Sequence, residues 1–283
     1  MRAVANSSQL LKIVNIIAYA ITIVVNGIAG GTTILGGLNT AQISNANPTL
    51  ITPAGYVFSI WGVIYILLGA FVIFQVLPRN KDKNFQSEVS WLFVLSCIFN
   101  TTWIFLWQYK YFALSVLFIF LLLASLIAIY LRLNIGRSAA PLSEKLAVRL
   151  PFSVYLGWIT IASIADVAVA LVSAKWDGAG IAAGTWAVLV VAIALLISVV
   201  VIATRRDIGY SLVIIWALLG ISVNQTGNQL VVMTTEIAAI VVTIFIVAAV
   251  SITRFWHKPS TPPQKKARDA NFGYGKMDAA GCE

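Results

Sequence analysis

The sequence predicts an all-α integral membrane protein with eight transmembrane helices, and three observations carry that prediction. Only 10% of the 283 residues are charged and 60% are hydrophobic, whereas an ordinary soluble domain carries roughly 25% charge. The apolar residues fall into runs of about 20, long enough to cross a hydrocarbon core about 30 Å thick. The basic residues also alternate between successive connecting segments, as they do in multi-pass membrane proteins.

The runs lie at Leu10–Ile34, Tyr56–Leu77, Val89–Trp107, Phe112–Leu133, Arg149–Val172, Ile181–Thr204, Ile208–Val223 and Leu230–Ile252. Six are secure on length. The seventh is short, and the third carries Asn100, Thr101 and Thr102 in its middle. A β-barrel is excluded because no alternating pattern of about ten residues recurs.

Charge placement checks the count. With the N-terminus inside, Arg2 and Lys12, then Arg79, Lys81 and Lys83, then Arg132, Arg137, Lys145 and Arg149, then Arg205 and Arg206, and finally the tail from Arg254 all fall on one side. Lys110 and Lys175 are the only 2 of the 19 basic residues on the other side. Losing or adding one span would scramble this split. Both termini are therefore expected to face the cytoplasm, or the equivalent positive side of an organelle membrane. The net charge of +9 thus reports topology and gives no reason to expect nucleic acid.

The chain divides into an N-terminal cytoplasmic segment (1–9), a five-helix membrane region (10–172), three further helices (173–253) and a basic tail (254–283). The first run is too long for the apolar core of a cleaved signal and is expected to remain as a helix. The tail holds Pro259, Pro262 and Pro263 among Lys265, Lys266 and Arg268, a composition that favours disorder and suits attraction to anionic lipid.

Catalytic signals are missing. Cys97 lies in the third span and Cys282 in the tail, so a disulfide is not expected; His257 stands alone, which leaves no metal site of the usual kinds. There is no Gly-rich phosphate loop and no Ser, His and Asp set, so no enzyme is predicted. Asn224-Gln225-Thr226 forms a glycosylation triplet. Gly27 and Gly31 suit close helix packing within the chain, with a homodimer face as the other reading.

Aromatic and polar residues converge at one depth. Tyr56 and Trp61 begin the second span, Asn100, Trp103 and Trp107 end the third, Asp166 nears the end of the fifth and Glu236 follows the start of the eighth. A rise of 1.5 Å per residue puts each within about 10 Å of the outer interface. Trp107 fits an interfacial aromatic belt, whereas Trp103, one turn from Asn100, fits the bundle interior. Intramembrane carboxylates must face protein or water, and with Lys and Arg confined to the ends of the spans their partners are expected to be hydroxyls, amides, backbone or ligand. An uncharged loop from Gly36 to Gly55 is long enough to fold over such a site as a lid.

Three segments resemble the TspO/MBR family, the tryptophan-rich sensory proteins and translocator proteins. Thr52-Pro-Ala-Gly-Tyr-Val-Phe-Ser-Ile-Trp-Gly-Val-Ile-Tyr65 is similar to the family's entry into its second helix. Phe99-Asn-Thr-Thr-Trp103 is similar to its Leu-Asn-x-x-Trp, and Pro151 with Tyr155-Leu-Gly-Trp-Ile-Thr-Ile-Ala-Ser-Ile-Ala-Asp166 to its fifth helix. Asp166 stands where the family usually has Asn, Ile161 replaces an aromatic, and three helices and a tail are added.

The resemblance implies that the first five helices form a TspO-like bundle whose pocket takes flat apolar ligands: porphyrins, haem and, in animal members, sterols. Carried over by position, the pocket comprises Pro53, Tyr56, Phe58, Trp61, Asn100, Trp103, Tyr155, Trp158, Ala162 and Asp166. Indole and phenol faces suit a planar ring system. The expected function is a membrane-embedded binding protein for a tetrapyrrole or sterol-like lipid in sensing, trafficking or transport, with no covalent cofactor and with porphyrin or haem as candidate ligand. Its expected partners are membrane lipids, the small hydrophobic ligand, and a homodimer or membrane-complex partner. The alternatives are a proton-coupled secondary transporter, a scaffold subunit of a membrane complex, and, least supported, an enzyme of porphyrin degradation.

Overall fold

The computed structural model describes residues 2–80 and 83–256, with side chains from 9 to 80 and from 83 to 251. Lys81 and the tail from residue 257, with His257 and Cys282, lie outside the described residues. Eight long helices follow one another: α1 (Arg2–Gly31), α2 (Ile60–Val76), α3 (Leu92–Gln108), α4 (Phe112–Arg132), α5 (Leu150–Ser173), α6 (Ala183–Arg205), α7 (Ile208–Asn224) and α8 (Gln229–Trp256). No strand occurs among the described residues. Six of the helical segments are long and apolar enough to cross a bilayer, while α3 and α7 have 17 residues each, at the lower end of the spanning range.

The helix starting points differ from the apolar runs in ways the backbone explains. α1 extends back to Arg2, through the segment expected to precede it. The second span opens with a 3₁₀ turn over Gly55–Ser59. A short helix, Phe85–Val89, comes before α3 and is separated from it by Ser90 at φ 44°. A wide, π-type turn over Lys145–Arg149 leads into α5, and Pro151 sits in its first turn, where a missing N–H costs nothing. The α6–α7 link is minimal. Arg206 adopts the left-handed conformation and ends α6, and the Asp207 carboxylate accepts from the Tyr210 N–H to cap α7.

The first four helices pack in the order α2, α1, α3, α4, with α1 against α2 and α3, α3 against α4, and both α2 and α4 against α5. The other side of α5 is covered by α7, which packs with α6 and α8 as a second group. Enclosed on both sides, α5 is buried at every position from Pro151 to Ile161. That is consistent with the absence of any charge between Leu150 and Ala165, since a helix apolar all round is a buried one.

α1 is fastened by a polar stripe. Asn15, Tyr19, Thr22 and Asn26 recur at spacings of four, three and four, so they share one helix face. Each meets the neighbouring helices: Asn15 Nδ2 donates to Gln75 Oε1 at 2.9 Å, the Tyr19 hydroxyl to the Tyr65 carbonyl at 2.9 Å, Thr22 pairs with the Thr101 hydroxyl at 3.3 Å, and Asn26 Nδ2 donates to Asn100 Oδ1 at 2.7 Å. The opposite face, with Leu10, Ile13, Ile17, Ile21 and Val24, is exposed. Gly27 and Gly31 do not pack closely within the chain, which corrects that part of the sequence reading: a Cβ at either meets nothing within 4 Å.

Close approaches lie elsewhere, among them Gly157 of α5 against the Tyr210 backbone and Gly220 of α7, where a Cβ would overlap Val57. The Ala54 N–H donates to the Gly220 carbonyl at 2.9 Å, and Trp216 Nε1 donates to the Val57 carbonyl at 3.2 Å. α7 thus holds the entry to α2 against the bundle. The long loop before it is not irregular throughout either: Thr40–Ala46 forms a short helix whose cap residue Asn39 accepts from the Gln42 N–H while the Gln42 side chain accepts from the Asn39 N–H.

Gly220→Val is expected to destabilise the protein by about 1–3 kcal/mol, the usual cost of overpacking. Thermal unfolding in detergent checks this, and Val57→Ala in the same chain should restore part of the loss because it removes the obstructing methyl groups.

Candidate functional site: an aromatic layer beneath the long loop

Helical spacing gathers the site on α5. Tyr155, Trp158, Ala162 and Asp166 recur every three or four residues and so share one face. α2 brings Trp61 and Tyr65 to that face, and α3 brings Asn100 and Trp103. Trp61 is the hub, stacked on Tyr65 with ring centroids 5.6 Å apart and planes 15° apart, and on Trp103 at 5.5 Å and 29°. It meets Tyr155 and Trp158 in T-shaped contacts at 6.1 Å each, and Phe58 meets Trp158 likewise at 6.0 Å. Such pairs each contribute about 0.5–1.5 kcal/mol beyond their burial, so the layer is a stiff element of the bundle.

Hydrogen bonds fix its edges. Asn100 is fully buried and links three helices, accepting from Asn26 and donating through Nδ2 to the Tyr155 hydroxyl at 2.8 Å. The Asp166 carboxylate is buried as well. It accepts from Trp103 Nε1 at 3.1 Å and from the Ser115 hydroxyl of α4 at 2.8 Å, so one side chain ties α3, α4 and α5 together. A hydroxyl partner was expected for it, and the indole adds a second donor. Trp158 Nε1 and the Tyr65 hydroxyl, both on rings touching Trp61, are buried with no hydrogen-bond partner. Trp61 itself is only partly buried.

Of the ten residues carried over by resemblance, Phe58, Trp61, Asn100, Trp103, Tyr155, Trp158 and Asp166 form one connected set, and Ala162 lies on the same face of α5. Pro53 is buried within the loop. Tyr56 does not join them: it is half-exposed and meets Trp216 of α7 in a T-shaped contact at 5.4 Å. Trp107 is no belt residue, since it is buried against Phe112 and Trp103 and its Nε1 donates to the Thr40 carbonyl at 3.4 Å. Glu236 is exposed on α8 and accepts from Ser222 at 2.9 Å, so it shares no hydrogen-bond partner with Asp166.

Several residues escaped the sequence reading. Ser115 is one of two serines within a 21-residue apolar helix, and nothing local marks it as a carboxylate's partner. Asn224 and Gln225, visible in the sequence only as a glycosylation triplet, bind the loop: Asn224 Nδ2 donates to the Thr52 carbonyl at 3.1 Å, and Gln225 Nε2 to those of Thr49 and Thr52 at 3.0 and 3.2 Å. Behind α5, facing away from the aromatic layer, lies a cavity of about 680 Å³ bounded by α5, α6 and the long loop.

The fold and this layer define a class, that of multi-pass helical membrane proteins with a tryptophan-rich interior beneath one long connection. A family model described as TSPO-like protein matches residues 12–249, and the chain belongs to that family. The match continues through the three helices beyond residue 172. No curated protein and no solved structure matches the chain.

Asp166→Ala is expected to destabilise the protein by about 1–3 kcal/mol, the cost of stranding buried donors. Asp166→Asn should cost less, because its Oδ1 can still accept the indole N–H while the Ser115 hydroxyl turns to accept from Nδ2. Comparing the two unfolding midpoints in one detergent checks the order; equal losses would mean that the carboxylate charge, not the hydrogen-bond pattern, matters.

Proposed function

We propose that the protein is a non-covalent binding protein for a flat apolar ligand, a tetrapyrrole or a sterol-like lipid, held at the aromatic layer, and that it serves sensing, trafficking or transport. The single observation that supports this most is Trp61: a half-buried ring stacked between Tyr65 and Trp103, flanked by two buried polar groups without partners. A planar ligand that enters against the Trp61 ring extends this stack and adds partners for Trp158 Nε1 and the Tyr65 hydroxyl. Buried polar groups gain most from such a partner, because leaving them unmade is costly.

Among the described residues no three His, Cys, Asp or Glu side chains gather as a metal site. Recognition in this reading therefore runs through ring faces and hydrogen bonds. A porphyrin suits them, since its ring stacks and its carboxylates accept hydrogen bonds. The proton-coupled carrier reading has less support, because its two carboxylates, Asp166 and Glu236, bond to different partners on different helices.

Titration of the purified protein with protoporphyrin, followed by its absorption band and by quenching of tryptophan emission, is expected to saturate. The doubly substituted Trp61→Ala, Trp103→Ala protein should bind at least tenfold more weakly. Undiminished affinity in a folded double variant would remove this site from consideration.

A further inference from the structure

The cavity behind α5 carries an inference separate from the aromatic layer. Its long walls come from two helices, with Phe120 of α4 and residues 48–51 of the long loop beside them. Ile164, Ala168 and Leu171 of α5 face Trp186, Val190 and Ile193 of α6. These residues recur at helical spacing on the face of α5 turned away from Tyr155, Trp158 and Asp166. Leu171 and Ile193 are exposed, so the cavity opens along the lipid-facing side of the helix pair. Its volume of about 680 Å³ falls in the range of 300–1,000 Å³ that small-molecule sites occupy.

One end is polar and rigidly built. The α5–α6 turn holds Lys175, Gly178, Ala179 and Gly180 in the left-handed region. Trp186 Nε1 donates to the Gly178 carbonyl at 2.8 Å, and Trp176 packs on Trp186 with centroids 5.3 Å apart. Thr49, Asp177, Asn224 and Gln225 complete this rim. The amide nitrogens of Asn224 and Gln225 are already engaged by the Thr49 and Thr52 carbonyls, while their side-chain oxygens accept no hydrogen bond among the described residues. Asp177 accepts from the Ala179 N–H through Oδ1 and keeps Oδ2. The rim therefore offers mainly acceptors, with one N–H of Asn224 Nδ2 remaining beside them. No Lys or Arg lines the cavity, Lys175 of the same turn being exposed outside the lining, so an anionic head group inside it would meet the Asp177 carboxylate.

We propose that the cleft between α5 and α6 binds an amphiphile drawn from the bilayer, with an apolar body along α5 and α6 and an uncharged, hydrogen-bond-donating head among Asp177, Asn224 and Gln225. A long-chain acylglycerol has this chemistry. The site does not depend on the aromatic layer, from which the body of α5 separates it.

The test uses the full chain in nanodiscs with two photoreactive probes of the same diazirine-bearing acyl chain, a monoacylglycerol and a lysophosphatidate. The monoacylglycerol is expected to label peptides within residues 164–193 saturably, with at least tenfold suppression by unlabelled monooleoylglycerol. The anionic probe should label them at least tenfold less. Ala168→Phe with Val190→Phe fills the cleft and should abolish that labelling, whereas Trp61→Ala should leave it unchanged even if porphyrin binding is lost. Labelling that does not saturate, that spreads evenly over the lipid-facing helices, or that is as strong with the anionic probe overturns the proposal. So does undiminished labelling in the filled variant; if that variant fails to elute as a monodisperse protein, the competition on the unsubstituted chain decides alone.

Discussion

A polar atom in hydrocarbon has no water to fall back on, and this constraint organises the molecule. Asn15, Tyr19, Thr22 and Asn26 on the inner face of α1 each find a partner on α2 or α3, with only Asn15 Oδ1 and Gln75 Nε2 of that stripe's amide pair left over, so the stripe sets both the rotation of α1 and its height against the bundle. Asn100 extends the same logic to α5, and Asp166 to α3 and α4. Apolar packing alone does not fix register among helices bathed in an equally apolar solvent. Small numbers of directional bonds do.

α5 is the element through which these constraints meet. Its two faces have opposite characters: one carries Tyr155, Trp158 and Asp166 into a closed aromatic layer, and the other carries Ile164, Ala168 and Leu171 into an open cavity. The helix is able to serve both because it is held at several heights. At the basic end, Ser153 donates to the Asp207 carboxylate that caps α7 at 2.5 Å; midway, the Tyr210 hydroxyl meets Thr160 at 3.2 Å; at the loop end, Asp166 anchors the side facing α3 and α4. A shift of α5 would therefore disturb the aromatic layer, the cavity and the α6–α7 turn together.

Much of the architecture was legible in the sequence because hydrophobic length and charge placement are local signals. Even the short seventh span, between Asp207 and Gln225, forms a helix in the place that the charge alternation requires. The convergence of Trp61, Asn100, Trp103 and Asp166 followed from helix rise and alternating direction. What could not be read was which face each residue presents. Trp107 has the position of a belt residue and is buried because the loop folds over it; Tyr56 shares a motif with Trp61, yet the 3₁₀ turn over Gly55–Ser59 points it to α7. The polar stripe on α1 was readable, since its spacing of four, three and four is a helical period, but it lies among residues that look unremarkable one at a time. Ser115, Asn224 and Gln225 gave no such signal, because their roles depend on helices distant in sequence.

The role of the long loop changes most. An uncharged connection over a site suggests a lid, but a lid must have a bistable attachment, and this loop is fastened at several points. Thr49 and Thr52 accept from Gln225, Thr52 also from Asn224, Ala54 donates to Gly220, and Val57 accepts from Trp216. All of these partners belong to α7 or to the residue that ends it. Releasing the loop would break them together, so in the proposed reading a ligand reaches the aromatic layer more readily sideways, between helices from the bilayer, than from above. A ligand that already partitions into lipid requires no other route, and α7 then serves to keep the upper entrance shut.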